Sequence, residues 1–185
     1  FATEATHAAT AAATIRLEPF DYQHVRLLDS HWRTQVQAAR DYYMSLTDDD
    51  ILCGFRKAAG LPAPGTPLGG WCDTNSAPVF GQWLSGMARL SRATGDAALK
   101  AKAVHLLTEW GKTVQANGDC GMRHYTWDKL VCGLVDMHVY AGLADALPLL
   151  ERVTDFAAAN YARDNAAATR NAFQGRPSEW YTLAE

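Results

Sequence analysis

A repeat of 47 residues constrains the fold of this chain more than any other sequence feature. The segments "WLSGMARLSRATGDAALKAKAVHLLTEW" and "LVCGLVDMHVYAGLADALPLLERVTDF" align so that Gly86 falls on Gly133 and Gly95 on Gly142. Each segment contains two stretches with helical apolar periodicity, separated by a short break, "ATGDA" or "AGLAD". Two-helix units that repeat in this way form stacked helical arrays or closed α/α toroids. The repeat therefore predicts an all-α fold built from αα-hairpins.

Apolar periodicity and turn residues also predict where the elements begin and end. Helices are expected over 31–46, 78–94, 97–117, 126–142 and 145–163, and a further one opens at 178. Residues 15–30 alternate like a strand or an irregular arm, 47–60 form a short helix or turn, and 61–78 form a long Pro- and Gly-rich loop. Gly86 and Gly133 fall in mid-helix, where glycine costs about 1 kcal/mol relative to alanine, so we expect neighbouring helices to pack closely there.

Composition excludes several classes of protein. The net charge is −3 with no basic stripe, which gives a nucleic-acid partner no electrostatic basis. The apolar runs are too short to span a membrane.

The Ala- and Thr-rich opening is not itself a signal peptide but is consistent with a mature start after one, so we expect a periplasmic or secreted protein, and otherwise a cytoplasmic one. The cysteines lack C-x-x-C spacing, which predicts no metal site in this chain.

Polar residues recur where the first helix of each repeat begins. Gln82, the pair Asp128 and Lys129, and Glu179 occupy similar places, with Trp83, Trp127 and Trp180 among them. In an α/α toroid the inner helices run parallel, so these starts would gather at one mouth of the ring. Aromatic faces beside carboxylates and amides suit a sugar, whose C–H faces stack on rings while its hydroxyls need donors and acceptors. The alternative is a set of helix caps with core tryptophans.

Three further residues are candidates for the same mouth. Trp71 and Asp73 lie in the Gly-rich loop, where they either face a ligand or belong to a lid packed on the core. His124 precedes the second of the polar helix starts. Because two carboxylates flanking a sugar are the usual hydrolytic pair, Asp128 and Glu179 are the available candidates for that role.

Six segments, in this order, resemble the N-terminal part of glycoside hydrolase family 127, the β-L-arabinofuranosidase-like group. They are "FDYQHVRLLDSHW", "DYYMSLTDDDILCGFRKAAGL", "GGW", "FGQWLSGMARL", "TWDKLVCGLVDMHVYAG" and "EWYTLAE". The resemblance implies an (α/α)6 toroid followed by a β-sandwich, and hydrolysis of L-arabinofuranosides or related glycans. It also implies a glutamate acid/base and a zinc-held cysteine nucleophile in downstream motifs, to which none of the four cysteines here corresponds.

On this resemblance we expect residues 1–16 to be a flexible N-terminal segment and 17–185 to be the incomplete N-terminal portion of an α/α toroid catalytic domain. The chain would contribute sugar-binding residues, would hold no cofactor of its own, and would be inactive alone, with zinc supplied by downstream residues of the complete protein. Its partners would be a carbohydrate substrate and the remainder of its own polypeptide, and apolar surface along the open edge would favour self-association. The alternative function is a non-catalytic α-helical repeat module that binds glycan or protein.

Overall fold

The computed structural model describes residues 20–72, 79–122 and 125–160, apart from the side chain of Trp71. Over these ranges it contains α-helices and two 3₁₀ turns, Tyr22–His24 and Gly70–Cys72, and no strand. The all-α fold class is thereby confirmed. The helices are α1 (His31–Ser45), α2 (Asp48–Ala58), α3 (Val79–Thr94), α4 (Ala97–Gly111), α5 (Tyr125–Val139) and α6 (Ala146–Asn160).

The helix starts follow from capping side chains. Ser30, Thr47 and Asp96 each accept a hydrogen bond from the backbone N–H three residues ahead, at 3.4, 3.2 and 2.9 Å. This bond satisfies one of the four amide groups that a helix start leaves without a partner. In α2 the first turn is acidic and the last turn carries Arg56 and Lys57, which complements the helix dipole.

Helix α4 departs most from its predicted bounds. Helix α4 ends at Gly111 instead of 117, because glycine and the β-branched Thr113 and Val114 disfavour a longer helix and the chain tightens there, with Thr113 N–H bonding the Trp110 carbonyl at 2.8 Å. Of the two alternatives predicted for the arm, its described part, residues 20–30, follows the irregular one, with a 3₁₀ turn and no strand. The expected segment 1–16 and the helix opening at 178 lie outside the described residues.

Helix α3 is the central element of the described ranges. It packs against α1, α4 and α5, while α2 packs beside α4, and α3–α4 and α5–α6 form the two helix pairs of the repeat. The core includes an aromatic row in which Phe80 lies 5.0 Å from Phe55 and 5.7 Å from Trp110, measured between ring centroids. No helix in the described ranges is long and apolar enough to span a membrane.

A glycine with a left-handed backbone lies at each of the two aligned breaks of the repeat. Gly95 and Gly142 join the helices of each pair with φ angles of 72° and 67°, a left-handed conformation that favours glycine. Gly95 N–H donates to the Ser91 carbonyl at 2.8 Å, which closes α3 before Asp96 caps α4. These glycines, 47 residues apart, thus share a conformation, although two residues join α3 to α4 and six join α5 to α6.

Candidate functional site

The site is built on an unusually close contact between α3 and α5. A Cβ atom on Gly81 would lie 2.1 Å from the Lys129 carbonyl oxygen, and one on Gly133 would lie 2.5 Å from the Gly81 carbonyl oxygen. Glycine at both positions is what allows the two backbones to approach. The close packing expected at Gly133 is confirmed, and Gly86 likewise faces a neighbouring helix, at Tyr43 of α1.

The two helices run parallel. Gly81 near the start of α3 faces Lys129 near the start of α5, whereas Ser85 and Arg89, farther along α3, bond Asp136, farther along α5. The start of α3, with Gln82, therefore lies at the same end as the start of α5, with Asp128 and Lys129. This is the parallel arrangement that a toroid requires of its inner helices.

The polar residues predicted at these starts are accessible to different degrees. Gln82 is exposed, while Asp128 and Lys129 are each half-buried. The Lys129 ammonium lies 4.0 Å from the Asp128 carboxylate and 4.8 Å from the centroid of the Tyr125 ring. The arrangement offers a cation, an anion and an amide at one end of the helix pair.

The tryptophans beside them are half-buried and pack against the core. Trp127 donates its indole N–H to the Val153 carbonyl at 3.2 Å, so its ring edge faces α6. Trp83, one turn into α3, also packs against the core. Both rings thus contribute to packing between the helices.

Four of the predicted site residues receive no side-chain description. Asp73, His124 and Glu179 lie outside the described residues. For Trp71 the structure gives only the backbone, within the turn Gly70–Cys72.

Sequence reasoning missed a second set of polar residues farther along both helices. Asp136 is only 5% exposed, and its carboxylate accepts from Arg89 Nε at 2.6 Å, from Arg89 Nη2 at 2.9 Å and from the Ser85 hydroxyl. The ion pair raises the pKa of Arg89 above its ordinary value, chiefly through the hydrogen bonds to Asp136. Helical spacing could have indicated these residues. Ser85 and Arg89 are four residues apart and so lie on one face of a helix, as do Cys132 and Asp136.

The charged residues of both sets lie near one another on the surface around Cys132, which is exposed. Partial desolvation raises the pKa of the Cys132 thiol, the charges of Asp128 and Asp136 raise it further, and those of Lys129 and Arg89 lower it. All four charged groups are therefore near enough to act on this thiol. We call the surface the polar face, which comprises Gln82, Ser85 and Arg89 of α3 and Asp128, Lys129, Cys132 and Asp136 of α5.

The donor groups in the described ranges do not fit a zinc site. No three His, Cys, Asp or Glu side chains converge there. All four cysteines fall in those ranges, with Cys53 and Cys120 buried, Cys72 half-buried and Cys132 exposed, and no disulfide links them.

A comparison with protein families identifies the part of the chain that contains α1 to α4. The family model described as β-L-arabinofuranosidase, GH127 catalytic domain, matches residues 24–121, just over half of the chain. The match includes Gln82, Ser85 and Arg89, whereas the α5 part of the polar face follows it. No curated protein matches the chain.

Proposed function

This chain belongs to the family of GH127 β-L-arabinofuranosidase catalytic domains, and from that membership we propose that it is the N-terminal portion of a glycoside hydrolase acting on L-arabinofuranosides or related glycans. Its role is to supply part of the wall that binds the sugar. The catalytic centre, together with any zinc, belongs to polypeptide beyond these residues.

The parallel contact of α3 and α5 is the observation that carries this proposal. It brings Gln82 to the same end as Asp128 and Lys129, although 46 and 47 residues separate them in sequence. Together they provide ammonium donors, carboxylate acceptors and an amide that does both, which is the mixture that the hydroxyls of a neutral pentose require. Because the charges largely offset one another, the face suits an uncharged ligand.

The proposal extends to the other residues that the sequence singled out. Trp83 and Trp127 would present the exposed parts of their rings to the C–H faces of the sugar. Trp71, Asp73, His124 and Glu179 would complete the wall from neighbouring segments, with Asp128 and Glu179 as the candidate carboxylate pair.

Saturation-transfer NMR with methyl β-L-arabinofuranoside tests this proposal on the 185-residue chain, since the method detects weak binding to an incomplete pocket. We expect transfer to the sugar protons in the wild type and at least about a fivefold weaker affinity in Asp128→Asn and Lys129→Met, because each loses a charged hydrogen-bonding group. Lys112→Met is the matched control, since Lys112 lies after α4, outside the polar face, and its side chain is 60% exposed.

Two results would overturn the proposal. One is the absence of transfer to the sugar in the wild type, which would favour the alternative of a helical module that binds protein. The other is equal binding by Lys129→Met and Lys112→Met, which would remove the polar face from the site.

A further inference from the structure

The segment Phe20–Ser30, which we call the arm, is fastened to the far end of the polar face. Asp21 accepts from both Nε and Nη2 of Arg92, the former at 3.0 Å. The Tyr22 hydroxyl accepts from Arg89 Nη1 at 2.7 Å. The Tyr22 ring also packs on Tyr140, just after α5, with 5.2 Å between the centroids. The arm thus contacts α3 and the residue that follows α5.

Arg89 is held by hydrogen bonds at its edge and by ring contacts, although 44% of its side chain stays exposed. Three of its N–H groups are engaged, two with Asp136 and one with Tyr22. Its guanidinium carbon lies 4.9 Å from the Tyr140 ring centroid and 5.7 Å from that of Tyr22. A planar guanidinium that binds a carboxylate with two hydrogen bonds and lies against aromatic rings has one favoured orientation.

This fixed guanidinium determines the hydrogen bond that Ser85 makes. An arginine stays charged and Asp136 is paired with it, so Asp136 remains a carboxylate that only accepts. The single proton of the Ser85 hydroxyl must therefore be donated in the hydrogen bond to Asp136. Its remaining capacity is two lone pairs, so the half-buried Ser85 oxygen offers any ligand on the polar face an acceptor and no donor.

We propose that Arg89 is a positioning residue through which docking of the arm sets Ser85 as the acceptor for a sugar hydroxyl. The connection runs from Tyr22 to Arg89, from Arg89 to Asp136 and from Asp136 to Ser85. This inference rests on the proposed function, because it assigns the polarity of one hydrogen bond in that same site. It makes the arm part of the binding apparatus, although no arm residue touches the sugar.

Linkage between the sugar and the arm is the decisive test. If sugar binding and arm docking favour the same arrangement of Arg89, each must strengthen the other by an equal factor. We expect saturating methyl β-L-arabinofuranoside to slow amide hydrogen exchange in residues 20–30 of the 185-residue chain. In Ser85→Ala the sugar should lose this effect, while arm exchange without sugar stays as in the wild type.

Removing the hydroxyl of Tyr22 tests the other end of the connection. Tyr22→Phe keeps the ring but loses the bond to the charged guanidinium, so arm exchange should accelerate about tenfold and sugar affinity should fall about threefold or more. Tyr42→Phe is the matched control, because Tyr42 is 54% exposed on α1 and should change neither quantity.

The outcomes separate this inference from the function on which it rests. Sugar binding that leaves arm exchange unchanged in the wild type overturns the role of Arg89 and leaves the proposed function standing. Failure of the wild type to bind sugar overturns both. If the contacts of the arm only stabilise the fold, Tyr22→Phe will show faster amide exchange in the arm and unchanged sugar affinity. That result also refutes the inference.

Discussion

Gly133 faces Gly81 where α5 meets α3, with so little space that a Cβ atom on Gly133 would lie 2.5 Å from the Gly81 carbonyl oxygen. The obstructing atoms belong to the backbone, so only a shift of a whole helix can accommodate a larger residue. Alanine gains about 1 kcal/mol of helix propensity over glycine, but overpacking a close contact costs about 1 to 3 kcal/mol. We therefore expect Gly133→Ala to lower the free energy of unfolding, measured by urea denaturation.

Gly86→Ala is the matched control for this prediction. Gly86 is the repeat equivalent of Gly133 and also faces a neighbouring helix, but its Cβ would meet the hydroxyl of Tyr43, the far end of a side chain that can move. The gain in propensity should nearly offset that movement and leave stability within about 0.5 kcal/mol. Equal losses in both variants would contradict the view that backbone contact makes Gly133 irreplaceable.

The sequence predicted the features that depend on residues close together in the chain. It missed the contacts that form only when helices distant in sequence pack against each other. A glycine in mid-helix is costly, so Gly133 stood out, whereas Gly81 lies near a helix start and gave no such signal. Gln82, Asp128 and Lys129 were found because they open helices. Asp136 was missed because its partners Ser85 and Arg89 lie on another helix, about 50 residues away in the chain.

The arm illustrates the same limit. Alternating residues predicted a strand or an irregular segment, and nothing local indicated that Tyr22 would bond a side chain 67 residues farther on. Helix α4 was predicted too long for a different reason, since Val114 continues the apolar pattern past Gly111. Apolar periodicity indicates which residues are buried, but it does not indicate where the helix ends.

The pairing of Arg89 with Asp136 predicts strong coupling between these two positions. Arg89→Met leaves a buried carboxylate without its counter-ion, which costs about 3 kcal/mol in unfolding free energy. Adding Asp136→Leu removes that charge, so the double variant should recover at least about 1 kcal/mol relative to the sum of the single losses. The measurement is a double-mutant cycle by urea denaturation.

An exposed ion pair at the start of α1 provides the comparison for that cycle. Arg33 lies 3.8 Å from Asp29, and both side chains are largely exposed. Arg33→Met should therefore change stability by less than about 0.5 kcal/mol. Additive losses at Arg89 and Asp136 would show that their bonds do not determine stability.

The ion pair between Asp21 and Arg92 predicts release of the arm in acid. The hydrogen bonds from Arg92 and, next, from Gln23 N–H lower the pKa of Asp21 from 3.8 to about 2. Because the folded-state pKa lies below that of the released arm, the carboxylate stabilises docking fully above about pH 4, and this contribution is lost as the pH falls toward 2. A ¹³C titration of the Asp21 carboxyl group should show the low midpoint. In Arg92→Gln the midpoint should rise toward 3.8, and an unchanged midpoint would mean that the pair does not form in solution.

The hydrogen bond from Trp127 to Val153 separates the two roles that the sequence left open for this tryptophan. Trp127→Phe keeps an aromatic ring but deprives the Val153 carbonyl of its 3.2 Å donor, so the free energy of unfolding should fall by about 1 kcal/mol. Trp32→Phe is the control and should be nearly neutral, since Trp32 is 66% exposed on α1. Urea denaturation measures both losses, and saturation-transfer NMR on the same samples measures sugar binding. Reduced stability with unchanged sugar binding would assign Trp127 to packing between α5 and α6, whereas weaker binding at wild-type stability would contradict the structural role argued from this bond.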